Sequence, residues 1–309
     1  MGPEPRPNFA IVCDSACDLS LSLLERAGVA LVPLVVRIGD RAYRDCIDLN
    51  AADYFVSYST AKGQINTFSP TEQDFVNVYE ALVMQGYTEI VSVHVSSQMR
   101  DAYQIAVSAA RKVGGARIQV MDTKGTSAKC ALVLARLVCD RDFGRDVDEA
   151  VARAVKVAES ARMLLVPAHD AKPARGVGHN RGGILGYAGQ LQRRALGVRS
   201  VLEVGADGRA IELFRSPDLS RLAGGMARKM SAYAHEVGPL TYVEINAGVP
   251  RSLAIVEKPL VTNEFESTRA AILDTNPSTT NQLGLGAVGI AFVASSLLSP
   301  GEAAAHLKL

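Results

Sequence analysis

The chain has 309 residues, 48% of them apolar, with 33 basic and 32 acidic side chains. A formal net charge of +1 gives no general field for nucleic acid or an anionic membrane surface, and with no Trp and 6% aromatics a stacking platform for single strands is not expected. A small ligand is the expected partner, and the length exceeds what one core usually organises, so two domains are expected.

In chain order, Pro3, Pro5 and Pro7 precede the first apolar run without a secretory h-region, which predicts a loose tail. Phe9 to Cys13 reads as a strand delivering Asp14 and Ser15, and Ser20 caps a helix to Ala27 that Gly28 stops. Val29 to Ile38 reads as one extended segment. Helical spacing returns over 51–60 and 71–84, where Phe75, Val78, Tyr79 and Leu82 share a face. A strand over Glu89 to Val95 ends in Ser96 and Ser97, a helix is expected from about Gln98 to Val113, and a strand over Arg117 to Met121 ends in Asp122 and Thr123. Helices reaching Cys139 and covering about 146–160 follow.

This alternation of strand and helix predicts an α/β fold with a largely parallel N-terminal sheet. Asp14-Ser15, Ser96-Ser97 and Asp122-Thr123 each fall between a strand and a helix. Ligands of open α/β sheets bind outside the carboxyl ends of the strands, while Ser, Thr and Asp are also ordinary helix caps.

Beyond a strand at Met163 to Val166, the stretch His169 to Gly189 is crowded with Gly, Pro, Lys, Arg and His and reads as a long loop. Val198 to Val204 and Arg209 to Phe214, joined by Gly205-Ala206-Asp207-Gly208, form a hairpin pattern. A helix over 219–236, a strand over 240–246 and a last apolar segment complete a C-terminal mixed sheet with helices. The expected domains are residues 1–160 and 161–309.

Several motifs lead nowhere. Gly284-Leu285-Gly286-Ala287-Val288-Gly289 spells G-x-G-x-x-G, but only 20 residues follow it, too few for a dinucleotide unit. The run Leu283 to Leu298 is too short and broken to span a bilayer. Cys13, Cys17, Cys46, Cys130 and Cys139 are odd in number without metal spacing, which predicts reduced, buried thiols in a cytoplasmic protein. His94 reads as a structural residue of its strand, and His169 and His179 lack a partner cluster for a metal. No G-x-S-x-G elbow surrounds Ser96. No metal or cofactor is expected.

The ordered set of blocks resembles the DegV family along nearly the whole chain. Its carriers are Asp14-Ser15, Val32-Pro33-Leu34, Tyr43-x-Asp45, Thr67-Phe68-Ser69-Pro70-Thr71, Val95-Ser96-Ser97 with Ala102-Tyr103-Gln104, Asp122-Thr123, Asp207-Gly208 and Gly284-Leu285-Gly286. The resemblance implies a non-catalytic fatty-acid-binding protein of two α/β domains, with the acyl chain buried and its carboxylate presented at the interface to a partner kinase. It implies a head-group set of Ser15, Thr67, Ser96, Ser97, Arg100, Gln282, Gly284 and Gly286. The chain departs from the family where Phe68 replaces a serine, Arg100-Asp101-Ala102 replaces S-G-T, and Gln282 replaces a histidine; its G-G-R-I motif is blurred, with either Arg175 or Arg181 as the equivalent of its arginine. Arg100 could supply a new cation to a carboxylate or phosphate, or point to solvent.

Two other readings stay open at this level. One is an enzyme acting on a small phosphorylated or carboxylated substrate through Asp14, Ser96 and Asp122; the other is a ligand-free paralogue that serves as an interaction module. A transient contact with a membrane surface is also left open.

Overall fold

The structure is a computed structural model that describes residues 7–61, 64–172, 197–261 and 265–308. The expected proline-rich tail (residues 1–6), His179, Arg175 and Arg181 lie outside the described residues.

The N-terminal half runs β1 (Ala10–Asp14), a 3₁₀ turn (Ser15–Cys17), α1 (Leu21–Arg26), β2 (Val29–Val32), β3 (Val35–Ile38), β4 (Arg41–Arg44), α2 (Ala51–Ala61), β5 (Ile65–Phe68) and α3 (Glu72–Met84). It continues with β6 (Glu89–His94), α4 (Ala102–Ala110), β7 (Arg117–Asp122), α5 (Ala128–Asp142) and α6 (Val147–Ser160). The C-terminal half is β8 (Arg162–Val166), β9 (Arg199–Val204), β10 (Ala210–Ser216), α7 (Leu219–Val237), β11 (Leu240–Asn246), α8 (Pro250–Val261), β12 (Ser267–Asp274), α9 (Pro277–Leu283), β13 (Val288–Ala294) and α10 (Pro300–Leu307).

The first sheet has the order β2-β1-β6-β7 and is parallel throughout. The C-terminal sheet has the order β10-β9-β8-β13-β11-β12, mixed because only β11 and β12 pair in parallel. This is the α/β architecture expected from the alternation of periods, and the hairpin falls at β9 and β10.

Two local expectations are corrected. The extended stretch Val29 to Ile38 is two strands in two sheets: β2 belongs to the parallel sheet, and β3 forms a separate antiparallel sheet of order β4-β3-β5. Pro33 has no N–H for a ladder, and Leu34 turns aside to donate to Ser15 Oγ at 3.0 Å and to accept from the Asp45 N–H at 2.8 Å. The helix expected from Gln98 begins only at Ala102, because Ser96 O accepts from both Met99 N and Arg100 N and closes a tight turn first. Arg100 therefore stands ahead of the helix.

The sheets stack in layers. α3 and α4 cover one face of the parallel sheet through Phe75, Tyr79 and Ala106 against Val12 and Ile90. Between the two large sheets lies α5, in which nearly every residue is buried. One apolar cluster joins Ile11 and Val91 of the first sheet to Leu132 and Val138 of α5 and to Ile245 and Ala291 of the second, with α6 and α10 contributing Val157 and Leu307. α7 and α8 cover the outer face of the mixed sheet through Leu222, Met226, Met230 and Val256. The buried Arg136 and Asp140 of α5 are paired, as burial requires: Arg136 meets Asp140 at 2.7 Å and Glu302 at 2.9 Å.

Candidate functional site

The polar helix α9 marks the site. Its sequence, Pro-Ser-Thr-Thr-Asn-Gln-Leu, lacks an apolar stripe, yet Ser278, Thr279, Thr280 and Asn281 are all buried. Pro277 fixes φ at the first helical position, and Asn276 ahead of it is extended. Helix N-termini leave backbone N–H groups unpaired, and here carboxylates of the N-terminal half take two of them. Asn276 N donates to Asp18 Oδ1 at 2.9 Å, and Ser278 N donates to Asp45 Oδ1 at 3.1 Å. The Asn276 side chain donates to Ser15 O at 3.0 Å, and Asn281 Nδ2 donates to Thr67 Oγ1 at 2.9 Å. Ser15 Oγ in turn donates to Asp45 Oδ2 at 2.6 Å. These bonds make a buried polar seam between the 3₁₀ turn and small sheet on one side and α9 on the other.

The seam is electrostatically tense. Burial pushes the Asp18 carboxyl up to about 7, tempered by the Ser127 hydroxyl and the Asn276 N–H beside it. Burial likewise pushes Asp45 up to about 6, with the Ser15 hydroxyl and, at longer range, the Arg100 guanidinium pulling the other way. Arg100 itself is half-buried in the turn ahead of α4. Asp18 Oδ2, Ser127 Oγ and Ser278 Oγ make no hydrogen bond of good geometry, although the Ser127 hydroxyl lies close enough to Asp18, and the Ser278 hydroxyl to Asp45, to favour the ionised carboxyls. A cleft of about 660 Å³ is lined in part by Asp18, Leu21, Asn50, Ile272, Asn276 and Leu307.

At the other end of α9, residues 168–172 are tied down. Ala168 N donates to Leu283 O at 2.8 Å, Lys172 N to Gln282 O at 2.9 Å, and Gln282 Nε2 to Lys172 O at 3.4 Å. Tyr58 OH on α2 donates to Asp170 Oδ2 at 2.9 Å, and Lys172 Nζ reaches Ile65 O on β5. Gly284 has φ +82°, and a Cβ there would stand 2.5 Å from Asp170 Oδ1 and 2.8 Å from the Ala168 Cβ, so a side chain is excluded. Gly286 donates its N–H to Ala247 O at 2.8 Å.

The strand ends of the parallel sheet are occupied differently. Asp14 Oδ2 accepts from Val95 N at 3.0 Å and pairs with His94 Nδ1 at 3.0 Å; His94 Nε2 meets Ser92 Oγ at 2.7 Å, which takes the Tyr79 hydroxyl at 2.8 Å. A Ser-His-Asp order is present, but Ser92, His94 and Asp14 are at most 2% exposed. The relay therefore ties β1 to β6 and leaves no approach for an electrophile. Ser96 Oγ donates to Gly208 O at 3.1 Å, and Lys129 Nζ donates to Gly205 O at 2.6 Å, so the turn of the β9–β10 hairpin sits on the ends of β6 and β7. Burial pushes Lys129 down to about 7. Ser97 N donates to Asp122 Oδ2 at 3.3 Å, and that carboxylate also holds Lys124 Nζ at 3.0 Å.

Of the expected head-group residues, Ser15, Thr67 and Gln282 bond within or beside α9, Gly284 ends it, and the Arg100 charge favours the ionised form of Asp45. Ser96 and Ser97 are engaged at the hairpin and β7 ends, and Gly286 bonds to the end of β11. Asp14, Ser96 and Asp122 are each taken up by a different protein partner. All five cysteines are buried and free, with Cys13 Sγ 4.0 Å from Cys17 Sγ. Among the described residues no cluster suits a metal ion, and no helix is long and apolar enough to cross a membrane.

Sequence reasoning missed Asp18, Asn276, Ser278 and Asn281. The signal available was Asn-Pro at a helix start, followed by a polar run between two apolar segments; nothing in that run says it is buried.

Two large stacked sheets joined through a buried helix, with a polar seam sealed by a C-terminal helix, define an α/β protein built around a closed interface. The family model described as "Uncharacterised protein, DegV family" matches residues 8–295, and the chain belongs to the DegV family. It is 26% identical over 286 residues to a DegV domain-containing protein of Halalkalibacterium halodurans, covering 92% of this chain and 98% of that one. It is 30% identical over 201 residues to one of Streptomyces coelicolor, covering 64% and 67%. In fold it resembles a DegV family protein of Thermus thermophilus described for fatty acid binding, at TM-score 0.79 and 20% identity over 93% of this chain and 99% of that one. A stearic acid-binding protein of Eubacterium ventriosum gives TM-score 0.78 at 20% identity, over 93% and 98%.

Proposed function

We propose that this chain is a non-catalytic carrier that buries the hydrocarbon chain of a fatty acid and holds its carboxylate at the α9 end of the seam. The observation that carries the reading is the Thr67–Asn281 pair at 2.9 Å. It joins a hydroxyl and an amide at the interface of the two halves, next to Gln282. A carboxylate leaving water needs such donors to offset its desolvation. Asn281 has a second N–H, Thr67 keeps its hydroxyl proton, and both are free to serve a ligand oxygen.

For the chain's apolar end, the route is along β13. Val288 and Val166 are register partners just beyond Gly286 and Ala168, and both belong to the apolar layer that includes Met226, Met230 and Phe292. Methionines repack readily around irregular guests. Fatty acids are named for the Thermus and Eubacterium ventriosum proteins, and for a Ruminococcus gnavus relative holding vaccenic acid, which supports the same ligand class here. The further reading is presentation of the carboxylate to a separate kinase, in the cytoplasm, by a protein of two domains meeting near residue 160.

Titration with a fluorescent hexadecanoate analogue tests this. The wild type should bind with micromolar or tighter affinity, and Thr67→Val should weaken binding about tenfold, the loss of one hydrogen bond to a charged group. Equal affinity for Thr67→Val would remove Thr67 from the site, and no binding by the wild type would end the carrier reading.

A further inference from the structure

The seam holds two carboxylates where charge is poorly tolerated. Asp18 and Asp45 are 2% and 0% exposed, and each receives one backbone N–H from the start of α9. Asp45 is further held by Ser15 Oγ, whereas Asp18 Oδ2 makes no hydrogen bond of good geometry. The charged or titratable groups of several surrounding elements bear on them. They repel each other, the Arg100 charge ahead of α4 favours the ionised Asp45, Cys46 after β4 and Tyr54 of α2 lie within electrostatic reach, and Asp274 of β12 and Lys308 after α10 line the same cleft as Asp18. Burial raises the Cys46 thiol to about 12 and lifts Tyr54 well above its ordinary value, so both remain neutral over the range that matters. α9 itself brings no charge, only Ser278, Thr279, Thr280 and Asn281. The cleft that counts Asp18 and Asn276 among its lining residues adjoins one end of the seam.

We propose that this seam is a proton-operated clasp: α9 is held closed against the N-terminal half when Asp18 and Asp45 are protonated, and is loosened when they ionise. A neutral carboxyl still accepts the helix N–H through its carbonyl oxygen and can donate its own proton to a neighbouring hydroxyl. Two carboxylates in one dry space lose that donor and repel each other. Opening lets both return to water and to their ordinary acidity, so closing takes up protons.

The sign follows from linkage. Groups whose acidity is weakened in the closed form, Asp18 to about 7 and Asp45 to about 6, favour closure most fully below the open-form value and lose that contribution as pH rises through the closed-form value. The clasp is tight near pH 5 and loose near pH 8. Because α9 also carries Asn281 and Gln282, loosening would speed exchange of the acyl ligand; that consequence rests on the carrier reading above, while the clasp itself does not.

Hydrogen–deuterium exchange of the ligand-free protein decides it. Protection of the peptide spanning residues 276–283, corrected for the intrinsic pH dependence of exchange, should fall about tenfold or more between pH 5.5 and pH 8, while the β11 peptide over 240–246 stays constant. Asp18→Asn keeps the acceptor and removes the charge, and should flatten the profile to within about threefold; if that variant is unstable, Asp45→Asn, which removes the less shifted carboxyl, should shrink the fall by about threefold. Constant α9 protection in the wild type across this range, or an unchanged slope in the Asn variants, would overturn the clasp. Release of the hexadecanoate analogue, followed in parallel, reports on the carrier reading separately: an absent probe signal with a pH-dependent α9 would remove the ligand and keep the clasp.

Discussion

Asn281 on α9 donates its side-chain amide to the hydroxyl of Thr67 on β5, 2.9 Å away and 214 residues earlier in the chain. The bond links a polar C-terminal helix to a small antiparallel sheet, and most of what is specific about this molecule lies within reach of it.

The pair should be energetically coupled. Thr67→Val leaves the buried Asn281 amide short of an acceptor, at a cost of about 1–2 kcal/mol, and Asn281→Leu alone leaves the half-buried Thr67 hydroxyl short of a partner. The double variant should cost less than the sum of the two, by about 1 kcal/mol in urea denaturation. Strict additivity would mean that the contact does not contribute.

Gly284→Ala should be among the more damaging small changes in the chain. A methyl group at φ +82° is strained, and it would press on Asp170 and Ala168. A loss of about 2–4 kcal/mol is expected from the combined strain and overlap, with increased proteolysis of the segment after residue 168.

His94→Phe should destabilise without touching ligand binding. The substitution fills a comparable volume beside Phe75 but strips Ser92 and Asp14 of a buried partner. The expected cost is about 2–4 kcal/mol, read from the denaturation midpoint. A measurable loss of hexadecanoate-analogue affinity in the folded variant would contradict a purely structural relay.

Lys129 gives a pH signature of opposite sign to the clasp. Its folded acidity, near 7, lies below that of an unfolded lysine, so the unfolded chain holds the extra proton between about pH 7 and 10.5, and this group makes stability rise with pH through that window. Lys129→Met removes the burial penalty at the expense of one bond to Gly205 O. It should raise stability by about 1–3 kcal/mol at pH 7, with the gain shrinking towards pH 10. A gain that grows with pH would reverse the assignment.

Periodicity was enough to read the two large sheets and the β9–β10 hairpin, because strands and amphipathic helices carry their burial in their spacing. It could not read α9, whose burial is polar and set by partners more than 200 residues away. Nor could it divide Val29 to Ile38: β2 and β3 are both apolar and extended, and only the detour of Leu34 to Ser15 and Asp45 sends them to different sheets. The strand-end pairs were legible as polar positions, but Ser96 looks alike in sequence whether it meets a ligand or the carbonyl of Gly208. The resemblance singled out Thr67 and Gln282 as candidates; Asn281, which bonds Thr67, emerged only from the fold.

The central claim is that a fatty acid occupies this protein, and the most direct measurement is denaturing extraction of the freshly purified protein followed by mass spectrometry of the organic phase. The account predicts long-chain fatty acids at a substantial fraction of one per chain, with added fatty acid raising Tm after delipidation. An empty extract together with an unmoved Tm across saturated and unsaturated acids would contradict it.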